Sequence, residues 1–357
     1  MKGDDNKRME KIETIILGTT EEDIEKAADI IRGGGLVAFP TETVYGLGAS
    51  AMDAVASGKI YAAKGRPSDN PMIVHIADRS QLSGLTDEVT ADMKTLMDAF
   101  WPGPMTMVVK ARPEVPKVTT GGLDTVAIRM PDHPVALALI AAAGVPVAAP
   151  SANASGRPSP TTGMHVMDDL SGRIDAVIMG DECQIGIEST VIDMTSDVPM
   201  ILRPGKITAE DFAGVLGKAV ELDPALLKKP KLMTCLTDQD GLAEVADQDF
   251  KPKSPGQKYT HYAPKAEMII YKGEPEAVRL AIAEAKMERA QFGEKVGVII
   301  YDDERPEEAA HNFFAQLRAM DKAGVDVIFA AALKEDGVGF AVMNRMFKSA
   351  GYHIIEV

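Results

Sequence analysis

Short apolar runs alternate with polar, helix-like stretches along most of the chain. Residues 19–32 read as a helix, with Thr19 or Thr20 as cap, Glu21, Glu22 and Asp23 at its positive end, and Gly33-Gly34-Gly35 as its stop. Leu36 to Phe39 then reads as a buried strand ended by Pro40. A helix over 53–63 and strands over 72–76, 105–110, 125–129 and 145–149 follow. Asp132 is positioned to cap a helix running to Ala143, and Thr161 or Thr162 to start another. Strands over 174–179 and 191–194 complete the set, and the unit closes near 203–218. Strands outnumber helices, which predicts an α/β domain over 12–218 with a mixed, twisted sheet.

Residues 219–265 differ in kind. They hold ELDPALLKKPK, a polar stretch and KPKSPGQKYTHYAPK, whose prolines argue against regular structure. A connection of this length is either functional or disordered. From 266 to 357 a second, smaller unit reads as doubly wound and Rossmann-like. Its expected strands are 268–271, 296–301 and 325–330, and its helices 275–290 and 336–350.

Composition narrows the class. The chain has 357 residues, 45% hydrophobic and 25% charged, which is globular, and its formal net charge is −15. That balance disfavours charge-driven binding to long nucleic acid but leaves a local basic cleft open. Two cysteines, Cys183 and Cys235, cannot build a disulfide framework. With a polar N-terminal MKGDDNKRMEK and no apolar stretch of about 18 residues, the expectation is a cytoplasmic protein with no membrane span.

Four segments carry candidate chemistry. PTETVYGLG (40–48) places hydroxyls and glycines just past a strand end, where ligands sit in open α/β sheets, although a tight turn with capping hydroxyls reads the same way. KGRPSDNP (64–71) puts Lys64 and Arg66 in one turn, suited to phosphate or carboxylate; a solvated helix end is the alternative. VAIRMPDHP and APSANASGRPSP bring Arg129, Ser151 and Asn153 next to strand ends in rigid, donor-rich loops. GIESTVIDM and ILRPGKIT add Ser189 and Arg203. Walker, H-E-x-x-H and cysteine metal motifs are absent. Gly46 to Ala51 fits a lax dinucleotide fingerprint, but Pro40-Thr-Glu-Thr separates it from its strand, against a dehydrogenase. The residues alone thus indicate an anion-binding cleft and name no substrate.

Taken in order, PTETVYGLG, KGRPSDNP, WPGPMT, SANASGRPSPT, GIESTV and LRPG resemble the YrdC-domain family of threonylcarbamoyl-AMP synthases over about residues 12–218. SPGQKYTHYAP and GFAVMNRMFKSAG resemble the linker and C-terminal unit of its longer, two-domain form. The resemblance implies a YrdC-like domain with a central cleft. It also implies a reaction: L-threonine, bicarbonate and ATP give threonylcarbamoyl-AMP and pyrophosphate, Mg²⁺ accompanies ATP, and the chain holds no metal site of its own. The product would pass to a tRNA threonylcarbamoyl transferase, with weak or indirect tRNA contact. By the same resemblance, Thr43, His75, Arg129, Ala149 and Ser189 surround threonine. Arg66, Asn70, Thr125, Ser151, Asn153, Ser159, Arg203 and a linker tyrosine, Tyr259 or Tyr262, hold the nucleotide. Lys64 and Arg66 are the expected catalytic pair, and the linker is the expected lid. Two rivals are an RNA-binding translation or maturation factor, which the acidity disfavours, and a carbamoyl transferase, which lacks its accessory segments here.

Overall fold

The computed structural model describes residues 12–227 and 262–357. The N-terminal domain contains strands β1 (Ile15–Leu17), β2 (Val37–Phe39), β3 (Gly46–Ser50), β4 (Ile73–His75), β5 (Met105–Lys110), β6 (Thr125–Arg129), β7 (Val147–Ala148), β8 (Ala176–Ile178), β9 (Thr190–Asp193), β10 (Met200–Arg203) and β11 (Glu221–Leu222). Its helices are α1 (Glu21–Arg32), α2 (Ala54–Lys64), α3 (Ala91–Phe100), α4 (Pro134–Ala143), α5 (Gly163–Leu170), α6 (Ala209–Leu216) and the short α7 (Pro224–Leu227). The C-terminal domain adds β12 (Glu267–Lys272), α8 (Pro275–Gln291), β13 (Val296–Ile299), α9 (Pro306–Ala323), β14 (Val327–Ala331), α10 (Gly337–Ser349) and β15 (Ile354–Glu356).

The large sheet runs β1-β8-β2-β3-β7-β4-β6-β5-β9-β10-β11 and mixes parallel and antiparallel pairs. Its last strand pairs Met200 with Glu221 and Ile201 with Leu222, so the sheet enters the segment assigned to the linker. Two local readings change. Helix α4 begins at Pro134 with His133 as an N-cap that makes no side-chain bond, not at Asp132; proline at the first helical position needs no cap on its missing N–H. Gly46 to Ser50, whose glycines read as lying just past a strand end or in a tight turn, is itself a strand. A Cβ on Gly48 would meet Phe39 and Val147 side chains at 2.8 Å, so glycine there lets neighbouring side chains cross the strand.

The C-terminal sheet is wholly parallel in the order β13-β14-β12-β15. Alternation along β12 divides its faces. Ile269 and Tyr271 pack towards Val278 and Ile282 of α8, while Met268 and Ile270 share a core with Phe313, Phe314 and Leu317 of α9 and Met343 and Met346 of α10. That second core also includes Val44 and Ile187 from the N-terminal domain. At the seam Gly186 has φ +82, and a Cβ there would lie 2.4 Å from the His311 carbonyl oxygen. Only glycine permits this approach. Nearby, Asp169 takes both terminal nitrogens of Arg318, at 2.8 and 3.2 Å, in a buried ion pair across the domains. Cys183 is a buried free thiol, and no helix among the described residues is long and apolar enough to cross a membrane.

Candidate functional site

A cavity opens over the middle of the large sheet. Register explains its floor. Side chains at alternate strand positions share a face, and so do direct cross-strand partners. His75 pairs with Arg129, Arg129 with Thr106, Thr106 with Val191, and Val191 with Arg203. A register shift between Ile201 and Arg203 aims Arg203 to that side. Ile73, two residues before His75, joins the same face, with Ala149 beside it through a 2.8 Å backbone bond. The other wall descends from α2. Asp53 caps that helix, and Gly65, at φ +64, ends it, which sets Lys64 in the last turn and Arg66 just beyond.

The cationic side chains are buried and tightly held. The Lys64 ammonium donates to the backbone carbonyls of Ser151 and Asn153 and lies 3.5 Å from Asn153 Oδ1. Ser151 Oγ in turn donates to Asn153 Oδ1 at 2.5 Å. Lys64 and the Ser151–Asn153 loop are therefore one unit, and its ammonium faces the loop. Burial, then the Arg66 charge, pushes the Lys64 pKa well below its ordinary value. Arg66 donates to the carbonyls of Asn70 (3.2 Å) and Pro71 (2.9 Å), and burial lowers it to about 10. Arg203 donates to the carbonyl and hydroxyl of Ser189 at 3.1 and 3.2 Å. Arg129 donates to Thr43 Oγ1 (2.9 Å) and the Gly103 carbonyl (3.3 Å), and lies 2.6 Å from Glu42 Oε2 in a buried ion pair without hydrogen-bond alignment. Gly103 belongs to the WPGPMT segment, which thus helps to hold Arg129.

Of the residues expected at the site, Lys64, Arg66, Thr43, His75, Arg129, Ala149, Ser189, Ser151, Asn153, Arg203 and Tyr262 line this one cavity. Three do not. Thr125 opens β6, four residues from Arg129 and therefore about 13 Å along the strand. Asn70 is buried behind Arg66. Ser159 is buried, with its hydroxyl donating to Glu188 Oε1 at 2.5 Å. Tyr259 lies outside the described residues. Tyr262, at φ 67, has its ring 5.1 Å from that of Phe314, and burial raises its hydroxyl to about 12.

Sequence reading missed Glu188 and its partner Arg345. Glu188 lines the cavity, and Arg345 of α10 donates to its Oε2 at 3.1 Å. Burial pushes the Glu188 carboxyl up, but Arg345 and Arg203 outweigh it and hold the group below its usual range. No local pattern links residues 188 and 345, because the contact exists only once the domains have docked.

His75 yields a pH test. Burial, then Arg129, lowers its imidazole to about 3, against about 6.5 in an unfolded chain. Between these values the unfolded state binds the extra proton. The stabilisation is complete above about pH 6.5 and is lost as pH falls towards 3, by about 2 kcal/mol at about pH 5. Denaturation of the wild type and His75→Asn at about pH 7.5 and about pH 5 should show a drop smaller by that amount in the variant. Identical drops would rule out a buried neutral imidazole.

Known proteins supply the context. Residues 29–205 match the Sua5_yciO_yrdC family, described as "Telomere recombination", and residues 207–351 match "Threonylcarbamoyl-AMP synthase, C-terminal domain". Threonylcarbamoyl-AMP synthase of Pyrococcus abyssi is 46% identical, over 96% of this chain and 100% of its own. That of Bacillus subtilis is also 46% identical, over 95% of this chain and 96% of its own. A crystal structure of P. abyssi Sua5 complexed with L-threonine superimposes with a TM-score of 0.86 at 47% identity, covering 96% of this chain and 100% of that one.

Proposed function

The chain belongs to the Sua5/YrdC family of threonylcarbamoyl-AMP synthases in its two-domain form, and from that membership we propose that its cavity joins L-threonine, bicarbonate and ATP. The observation that carries this reading is the gathering of Lys64, Arg66, Arg129 and Arg203 around one buried, hydroxyl-rich floor. The substrates are a carboxylate, a carbamate and a triphosphate, which repel one another in water. Fixed cations in a dry cleft offset that repulsion and hold the reacting atoms in line.

The threonine amine adds to the carbon of bicarbonate with loss of water, giving a carbamate. A carbamate oxygen then bonds to the α-phosphorus of ATP, and the bond to the pyrophosphate oxygen breaks. In this reading Arg129, with Thr43 and Ser189, holds threonine. Arg66 and Arg203 hold the triphosphate, and Lys64 fixes the loop beside it. His75, lowered to about 3, remains neutral near pH 7 and stores no proton. The ionised carbamate needs no strong base.

Among the described residues no group of three His, Cys, Asp or Glu side chains could hold a metal. Both Glu188 oxygens are engaged by Ser159 and Arg345. That donor set suits Mg²⁺ entering on the nucleotide, bound mainly by phosphate oxygens and water. When bound, the ion supplies further charge neutralisation to the phosphates. The product, a labile mixed anhydride, must be consumed by an acyl transfer; we assign that step to a tRNA threonylcarbamoyl transferase, with little direct tRNA contact by this acidic chain.

Pyrophosphate release from ATP and Mg²⁺ tests the reading. Release should require both L-threonine and bicarbonate. Release indifferent to threonine, or none at all, would overturn it.

A further inference from the structure

Arg345 is fully buried, yet it belongs to the C-terminal domain and ends at the wall of the N-terminal cavity. Its Nε donates to Glu188 Oε2 at 3.1 Å, and one terminal nitrogen donates to the Pro204 carbonyl and to its own helix at Ala341 (3.3 Å). The other lies 3.5 Å from the Glu188 carbonyl oxygen. Pro204 directly follows Arg203 and Glu188 directly precedes Ser189, so Arg345 fastens the two segments that carry Arg203 and the serine that anchors it.

Glu188 presents a problem for that side. It is an anion in the wall of a site that must accept a triphosphate, and it lies within the electrostatic influence of Arg203. A free Glu188 carboxylate would compete with phosphate for Arg203. In the structure that carboxylate is occupied, with Ser159 on one oxygen, Arg345 on the other and Tyr262 against it. Arg203 is anchored instead by the carbonyl and hydroxyl of Ser189. That uses two of its five N–H donors and leaves the rest of the fork for a ligand.

We infer that Arg345 is a positioning residue for the nucleotide: by sequestering the Glu188 carboxylate across the domain seam, it keeps the Arg203 charge available to the triphosphate. The C-terminal domain thereby tunes the charge of a cavity built mainly by the N-terminal domain. This rests on the reading of the cavity as a site for ATP. Among the described residues Arg345 bonds to Glu188, Pro204 and Ala341 and not to Arg129 or Thr43, the main holders of threonine in that reading.

Steady-state pyrophosphate release by the wild type, Arg345→Gln and the Glu188→Gln/Arg345→Gln double variant tests it, with thermal midpoints recorded for each. Wild-type release that depends on threonine upholds the underlying reading; its absence sinks that reading and the inference with it. Given an active wild type, Arg345→Gln should raise the KM for ATP about tenfold, one broken charge interaction being worth about that factor, and move the KM for threonine less than about twofold. The double variant removes the stray anion and should recover most of the ATP KM. A purely structural Arg345 predicts the opposite: equal damage in single and double variants, or both KM values rising together. An unchanged ATP KM in the single variant also overturns the inference. Should Arg345→Gln fail to fold, the double variant decides alone. An ATP KM within about threefold of wild type then upholds the charge argument, and a tenfold rise refutes it.

Discussion

Replacing Lys64 by alanine is expected to lower kcat/KM for pyrophosphate release by about 10²–10³, the range seen when one preorganised donor is removed from a charged transition state. The loss has two sources. The substitution removes a cation from the cavity wall, and it frees the loop that the ammonium pins at the Ser151 and Asn153 carbonyls. Each carbonyl left buried without a partner costs about 1–3 kcal/mol, so the thermal midpoint should fall as well. Lys64→Arg separates the sources. It keeps the charge, but a planar fork cannot place one nitrogen against both carbonyls. If charge dominates, Lys64→Arg retains most activity; if the loop dominates, it resembles the alanine variant. A change below about fivefold in Lys64→Ala would mean that Lys64 plays no part in the chemistry.

How far the sequence foretold this arrangement depends on the range of the forces involved. Strands β5 and β6 coincide with their expected bounds, because a buried apolar run between turn residues is a local signal. The Thr20 cap and acidic first turn of α1 are equally local. Helix α9 is missing from the sequence reading although its marks are present: Pro306 at its start, Glu307 and Glu308 in its first turn, Gly324 after its end, and buried Ala309, Ala310, Phe313, Phe314 and Leu317 at helical spacing. Strand β3 was hidden by glycines that normally denote turns, and what they do here depends on Phe39 and Val147 lying across them. The cavity follows the same division. Eleven of the expected site residues line it, because hydroxyls, glycines and cations at strand ends are visible in one dimension. Glu42 against Arg129 and Glu188 against Arg345 are not, because each acquires meaning only through a partner distant in the chain, 157 positions away for the second pair.

Arg129→Gln should be the most informative change on the threonine side, raising the KM for threonine roughly 100-fold, as expected when a charge-assisted hydrogen bond worth up to about 3 kcal/mol is lost. Arg129 is built for a single pose: Nε to the Gly103 carbonyl, one terminal nitrogen to Thr43 and the other against Glu42. Two of its five N–H bonds are used, and the three that remain can serve both oxygens of a carboxylate. Removing the guanidinium also strands Glu42, which is 5% exposed and whose carboxylate oxygens accept no hydrogen bond. Breaking one side of a buried pair costs about 3–5 kcal/mol, so Arg129→Gln should also unfold at lower denaturant. Glu42→Gln/Arg129→Gln distinguishes the two effects. Without a buried charge, much of the stability should return, while threonine affinity stays lost because nothing replaces the cation. Isothermal titration with L-threonine beside urea unfolding gives both quantities on the same samples. If the double variant regains threonine affinity along with stability, Arg129 serves the fold and not the substrate, and the carboxylate must be held by Ser189 and the backbone around Ala149.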